Sequence, residues 1–362
     1  MFIYNSPRRR YYLRVIKKGT HRKSFPYPAG KLPWKDLSGL LGRYTGKDPR
    51  VLIRPGVGKD AAVISFPGRH LVAKTDPITF ATDRIGWYAV HVNANDIAAM
   101  GGIPRWFLAT LLLPEGKTGP AEVEEIFSQV SEACGELGVA LCGGHTEITQ
   151  GLDRPIVVGQ MLGEVEEAKL VSPDKIRLGD DVLLTKGIAI EGTALIAREK
   201  PELASVLGND QVERCRALLD KPGISVVREA RTAGGVARIH AMHDPTEGGL
   251  ASGLRELAEA AGMGMRAEMD KIPVFPETAI LCRKLNLDPL GLLASGALLI
   301  VAAGEDSPMI IDALAREGIP AAVIGRVWER EKGIKLVKRG RTIEMPSFER
   351  DEVARLFGGK GR

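Results

Sequence analysis

Four short stretches place an acid beside glycine or other small residues at the edge of an apolar run: GVGKDAAV (56–63), KTDP (74–77), NANDIAAMGG (93–102) and CGGHTE (142–147). Each puts a carboxylate at a strand end or a helix start, where free backbone N–H groups can cradle phosphate and carboxylates can hold Mg²⁺. Mg²⁺ takes oxygen ligands and keeps several waters, so a nucleotide-metal site needs only a few scattered carboxylates besides the phosphates. Asp60, Asp76 and Asp96 suit that role. Each also has a plainer reading: Asp60 as a turn former in a glycine-rich loop, Asp76 as a turn starter before Pro77, Asp96 as a local hydrogen-bonding group. Three acids in apolar settings within forty residues are harder to explain by turns than any one alone, and Asp96 above all, inside HVNANDIAAMGG (91–102), demands a partner for a charge among apolar neighbours.

The glycines beside these acids, Gly56, Gly58, Gly143 and Gly144, are candidates for backbone approach to phosphate, with Asn95 a polar contact. GVGKDA lacks the frame of a Walker A loop, and no G-x-G-x-x-G opens a helix after a strand, so the phosphate site is of another type. In the second half, HDPTEGGLASGLRELAEAAG (243–262) joins Asp244, Thr246 and Glu247 to Gly248 and Gly249 at a helix start. That is an ordinary capped opening or a second anion-binding helix terminus facing the first, with Thr246, Gly248 and Gly249 as its binding atoms. Asp244, with His145 and Glu147 of the first half, is a candidate acid-base or orienting group.

The chain that must position these groups has 362 residues, more than one core usually supports, which predicts two α/β domains. Hydrophobic and charged fractions of 44% and 26% are those of an ordinary globular protein, and the uncharged run LLASGALLIVAAG (292–304) is too short to span a membrane, which takes roughly 20 apolar residues. Net charge is uneven: residues 1–50 hold 13 Lys and Arg against 2 Asp and Glu, so the basic character belongs to an N-terminal arm and the remainder is mildly acidic. That arm is read as a solvated extension, with contact to nucleic acid or an acidic partner as the alternative. Its scattered apolar residues do not make a signal peptide, so a cytoplasmic protein is expected. Cys134, Cys142, Cys215 and Cys282 show no metal-knuckle spacing and are read as free buried thiols. Only nine Asn and Gln occur in the chain, a depletion that suggests a thermophilic source.

Hydrophobic periodicity predicts a helix over 31–46, strands joined by tight turns over 51–80, and a helix from Ile85 to Met100. A strand over 105–113, a helix over 121–138, and strands over 139–144 and 155–165 follow. A polar boundary at 166–181 leads to a strand over 182–190 that runs into a Gly-containing turn, and then to helices over 191–200, 209–220, 250–264 and 306–319. Two more strands lie at 296–304 and 321–329. The division expected is a basic extension (1–34), a first domain (35–168), a second (175–340) and a tail (341–362).

Taken together, NDIAAMGGIPRWF, GGHTE and DPTEGGL, in that order, resemble the superfamily of aminoimidazole ribonucleotide synthetase, thiamine-monophosphate kinase, selenophosphate synthetase and the hydrogenase maturation factor HypE. The resemblance covers about residues 32–340. HVNANDIAAMGG, CGGHTEIT and DPTEGGLASGLRELA are most similar to HypE, and AMGGIPRWFLATLLLP is also similar to thiamine-monophosphate kinase. It implies an α/β fold with mixed sheets in two domains, the N-terminal one pairing with its mate in a homodimer. It also implies ATP between the domains, Mg²⁺ on the acids matching Asp60, Asp76 and Asp96, phosphoryl transfer to an amide-type oxygen, and hydrogenase maturation proteins as partners. A small-molecule kinase and a non-catalytic nucleotide-binding partner are the alternatives. Two departures stand out. Lys59 occupies a place where many relatives carry a second acid, leaving the metal count open. The chain ends in RLFGGKGR without the terminal cysteine of HypE, which suggests another substrate or a different part in maturation. Selenophosphate synthetase is disfavoured, because no cysteine lies in or before the loop at 56–60.

Overall fold

The computed structural model describes residues 31–46 and 48–358. The basic arm over residues 1–30 lies outside them. Helix α1 (Trp34–Tyr44) precedes a first unit of β1 (Val51–Ile53), β2 (Ala62–Phe66), β3 (Arg69–Ile78), α2 (Ile85–Ala99), β4 (Ile103–Pro114), α3 (Pro120–Leu137), β5 (Ala140–Thr149) and β6 (Ile156–Val165). The second unit runs β7 (Asp181–Thr185), α4 (Ile190–Glu199), α5 (Ala204–Leu207), α6 (Asn209–Ala217), α7 (Val227–Val236), β8 (Ile239–His243), α8 (Gly249–Ala261) and β9 (Gly264–Glu268). It continues through α9 (Pro276–Leu285), β10 (Leu299–Ala302), α10 (Ser307–Arg316), β11 (Ala321–Trp328), β12 (Ile334–Lys338), β13 (Arg341–Glu344) and α11 (Glu352–Phe357).

The strands form two mixed sheets, ordered β1-β2-β3-β6-β4-β5 and β13-β12-β9-β11-β7-β10-β8. Each has one parallel pair, β4 with β5 and β9 with β12, among antiparallel neighbours. Alternation of strand and helix predicted this layered α/β class. No helix among the described residues is long and apolar enough to cross a membrane.

Helix α2 is the pivot of the molecule. All fifteen of its residues are buried, as expected of a helix apolar nearly all round. One side lies on β3, β4 and β6, another against α3, and a third meets α7 and β8 of the second unit. Its approach to the first sheet depends on Gly159 of β6: a Cβ there would sit 2.3 Å from Asn93 Nδ2. The core is continuous across the units, joining Tyr88, Ile97 and Phe107 to Leu195, Val212 and Leu281 in one cluster.

Several elements differ from the sequence reading. The strand expected over 182–190 stops at Thr185, because Lys186 and Ala189 take φ of 55° and 61° and turn the chain into α4. Lys186 is held there by a buried ion pair with Glu229 at 2.6 Å and by donation to the carbonyl of Ser225 at 2.7 Å. The strand expected over 139–144 runs as β5 from Ala140 to Thr149, so the GGHTE segment is extended chain. Residues 341–358 are folded onto the second unit: β13 pairs with β12, and Asp351 accepts from the backbone N–H groups of Gly248 and Val353, each at 2.7 Å. All four cysteines are free, but Cys142 is exposed on β5 whereas the other three are buried.

Candidate nucleotide and metal site

Between the units lies a cavity of about 490 Å³, within the range usual for small-molecule sites. The first unit contributes the run Asp76–Ala81, Val92 and Arg154, and the second contributes Glu191, Leu195, Thr246, Glu247, Leu293 and Ser295. Lys31, just before α1, reaches over it and donates to Thr246 Oγ1 at 2.8 Å.

At one edge of this cavity the acids converge. Asp76 lies on β3, and Lys74, two residues earlier on the same strand face, places Nζ 3.3 Å from Asp76 Oδ2 and 3.2 Å from Asp96 Oδ2. Asp96 is almost wholly buried on α2, and its Oδ2 receives no hydrogen bond. Asp60 comes from the loop between β1 and β2, which can lie against α8 because Gly58 has φ of 69° and no Cβ; a Cβ there would be 2.3 Å from the Glu256 carbonyl oxygen. Asp60 Oδ1 is 2.6 Å from His243 Nδ1, and Glu256 Oε2 is 2.9 Å from His243 Nε2. Asp244, the next residue after β8, is 1% exposed, and neither of its carboxyl oxygens has a hydrogen-bond partner.

Electrostatics follow from this crowding. Burial works against a charged imidazole at His243, but Asp60 and Glu256, one at each ring nitrogen, outweigh it and raise its pKa well above 6.5. His243 is therefore an imidazolium donating in both directions. Burial, followed by the Asp60 charge, pushes the Asp244 carboxyl up to about 7. For Glu256, burial pushes upward and is overcome by Lys31 and His243, which hold the carboxyl at about 2. At Lys74 burial opposes the charge, and Asp96 and Asp76 override it, so the ammonium persists. Six acidic side chains (Asp60, Asp76, Asp96, Asp244, Glu247 and Glu256) then face three cationic groups (Lys31, Lys74 and His243). Burial and mutual repulsion raise the pKa of Asp96, Asp244 and Glu247, so the excess of acids is met by protons held on these groups or by a bound cation that displaces them.

A divalent cation fits this demand. Oxygen atoms of Asp60 and Asp244 and a nitrogen of His243 lie within 4.8 Å of one another. Both ring nitrogens of His243 already face carboxylates, so it orients Asp60, and the atoms left for a metal are carboxylate oxygens. A donor set of oxygens alone suits Mg²⁺.

The residues singled out by sequence divide into three groups. Asp60, Asp96 and Asp244 are buried close together, and Asp76 joins them to the cavity, which Thr246 also lines. His145, Glu147, Gly143 and Gly144 lie elsewhere: they belong to β5, do not line this cavity, and His145 pairs with Glu147 at 3.6 Å, both exposed. Gly143, Gly144 and His145 line a smaller hollow of about 210 Å³ with Phe127 and Leu141. A third group is already engaged. Asn95 donates from Nδ2 to the Ile224 carbonyl oxygen and accepts from Val226 N–H, both at 2.8 Å, so it clamps the two units together. The N–H of Gly248, at the start of α8, donates to Asp351 Oδ2 at 2.7 Å, a carboxyl group of the chain itself. Gly249 packs against the Leu290 and Leu292 backbone, and Gly56 closes the 56–59 turn by accepting from Lys59 N–H at 3.2 Å.

Lys74, His243, Glu256, Glu191 and Asp351 were not singled out from sequence. Lys74 had a readable signal, an i,i+2 position beside Asp76 on a predicted strand. Glu256 meets His243 through tertiary packing alone.

Residues 58–165 match the AIR synthase related protein N-terminal domain, and residues 177–338 match the C-terminal domain of the same family. A protein of Methanocaldococcus jannaschii named for hydrogenase expression/formation is 30% identical over 297 residues, covering 79% of this chain and 85% of that protein. The carbamoyl dehydratase HypE of Rhizobium leguminosarum bv. viciae is 31% identical over 280 residues, 75% of this chain and 77% of that one. Among solved structures, hydrogenase maturation protein HypE in complex with ATP superposes with a TM-score of 0.68 at 23% identity, over 91% of this chain and 98% of that chain.

Proposed function

The chain belongs to the AIR synthase related protein family, and from that premise we propose that it is an ATP- and Mg²⁺-dependent maturation enzyme of the HypE kind, transferring phosphate to an amide-type oxygen. The observation that carries this reading is Asp244, buried with neither carboxyl oxygen hydrogen-bonded, in one cluster with Asp96 and with Asp76, which lines the inter-unit cavity. Asp60, Asp96 and Asp244 would hold Mg²⁺, with Asp76 at the cavity side. When bound, the ion would neutralise phosphate charge, the main requirement of phosphoryl transfer.

The chain's own groups have the remaining roles. His243 fixes the orientation of Asp60. Lys31 and Arg154 lie at the cavity as cations for phosphate oxygens. Glu191, buried in the wall with its carboxyl pushed up to about 8 by burial, stays protonated near neutral pH and can donate a hydrogen bond to a ligand. The relatives named carbamoyl dehydratase point to a carboxamide as acceptor. In such a reaction the amide oxygen attacks the γ-phosphorus, ADP leaves, and the oxygen departs as phosphate while nitrogen loses two protons and carbon becomes a nitrile.

The exposed apolar residues Ile103, Trp106, Leu141 and Ile148 on β4 and β5 support a homodimer formed through this end of the first sheet. Such an interface would put His145 and Glu147 at the subunit boundary.

Incubation of the purified protein with Mg-ATP and a panel of acceptors, a peptide bearing an S-carboxamide cysteine and thiamine monophosphate among them, tests the reading by mass spectrometry. Loss of about 18 Da from the carboxamide (one water, by mass balance) with ADP formed supports it. Phosphorylated thiamine monophosphate would replace it with a small-molecule kinase. ATP binding without any turnover would leave a nucleotide-binding partner.

A further inference from the structure

Resting on that reading, we infer that the Lys74 ammonium is a built-in cation occupying a position between Asp76 Oδ2 and Asp96 Oδ2 that a divalent ion would otherwise take, so that this chain holds one metal, on Asp60, Asp244 and the other oxygen of Asp96, and none between Asp76 and Asp96.

The geometry places one ammonium 3.3 Å from Asp76 Oδ2 and 3.2 Å from Asp96 Oδ2, bridging two carboxylates of different elements. An ammonium there and a divalent ion bound to the same two oxygens exclude one another, both by space and by repulsion. Lys74 is firmly anchored, because its side chain is only one-fifth exposed and its strand pairs along its length with β6, where Lys74 faces Met161. The contrast with Asp244 is direct. Both oxygens of Asp244 are buried with no hydrogen-bond partner, and no lysine or arginine makes an ion pair with it among the described residues, so the unmet charge lies on its side of the cluster. Lysine is a compact point charge on a flexible stem, suited to stand for an ion without fixing a bidentate geometry. The substitute keeps Asp76 and Asp96 paired through cycles of metal and nucleotide exchange.

Counting Mn²⁺ by the electron paramagnetic resonance signal of the free ion tests this without any turnover. The full chain is titrated with Mn²⁺ in the presence of a non-hydrolysable ATP analogue, as wild type, Lys74→Arg and Lys74→Ser. The expected result is one more Mn²⁺ equivalent per chain for Lys74→Ser than for wild type, with Lys74→Arg matching wild type. Equal counts for Lys74→Ser and wild type, with affinities within about twofold (under 0.5 kcal/mol), overturn the inference. Should Lys74→Ser be unfolded in metal-free buffer, thermal melts supply the second measurement: Mn²⁺ is expected to restore its folding, and failure to do so counts against the inference. Wild-type protein that takes up no Mn²⁺ even with the nucleotide would instead overturn the metal-dependent reading itself.

Discussion

Asp60 Oδ1 lies 2.6 Å from His243 Nδ1, and through this contact a loop of the first unit meets the end of a strand of the second. His243 also donates to Glu256 at 2.9 Å, so a single imidazolium ties three elements together beneath the cavity. Replacing it with Phe leaves Asp60 without its cationic partner and Glu256 with Lys31 alone, 4.0 Å away. The expected loss is about 3–5 kcal/mol of stability in urea unfolding, whereas a loss below about 1 kcal/mol would show that the contact contributes no more than a surface ion pair.

A second link between the units is neutral. Asn95 satisfies the Ile224 carbonyl and the Val226 N–H at once. Asn95→Leu is expected to cost about 2–4 kcal/mol, because it strands two buried backbone groups. Nucleotide affinity of the folded fraction, read by calorimetry, stays at the wild-type value if Asn95 is a clamp, and falls sharply if it touches the cofactor.

Glu191 provides a pH test away from the metal cluster. Its carboxyl is raised by burial from 4.5 to about 8, so the stability tied to its neutral form is fully present below pH 4.5 and is lost as pH rises through 8. Glu191→Gln, neutral at every pH, should match wild type in the acid range and exceed it by about 2–4 kcal/mol above pH 8. Parallel stability curves from about pH 5 to 9 would show that Glu191 titrates normally.

The dimer proposed through β4 and β5 can be broken at one residue. Leu141, on a strand exposed along almost its entire length, becomes Lys in the test variant. Sedimentation velocity should show the dissociation constant raised by about tenfold or more, equal to at least 1.4 kcal/mol. A monomeric wild type would refute the interface outright.

Much of this molecule was legible before its structure was known, and the limits have physical causes. The buried helix α2 and the strands around it follow from apolar periodicity, and Asp96 stood out because its burial among apolar neighbours required compensation. What hydropathy could not convey was which polar groups of that helix had protein partners. Asn95 and Asp96 are adjacent in sequence, yet one points into a second unit that supplies both hydrogen bonds and the other into a cluster that does not. A Gly-containing turn was read at the end of 182–190, but its start at Lys186 was not, because Lys186 and Ala189 adopt positive φ under tertiary constraint, a conformation their residue types do not announce. Likewise Asp351 seals the start of α8 from more than a hundred residues away, so the glycines of DPTEGG read as an open anion site. The strand read over 139–144 was ended at its glycines, and pairing with β4 carries it on to Thr149.

The central claim is that the carboxylates gathered beside the cavity hold Mg²⁺ for ATP. Calorimetric titration of wild type and Asp96→Asn with Mg-ATP, followed by phosphate release from the same samples, tests it most directly. Even outer-shell substitutions at metal sites commonly cost about 10–100-fold, so the account predicts affinity weakened by about 100-fold and phosphate release reduced to background. An Asp96→Asn protein that is folded, binds Mg-ATP as wild type does and releases phosphate at the same rate would contradict it.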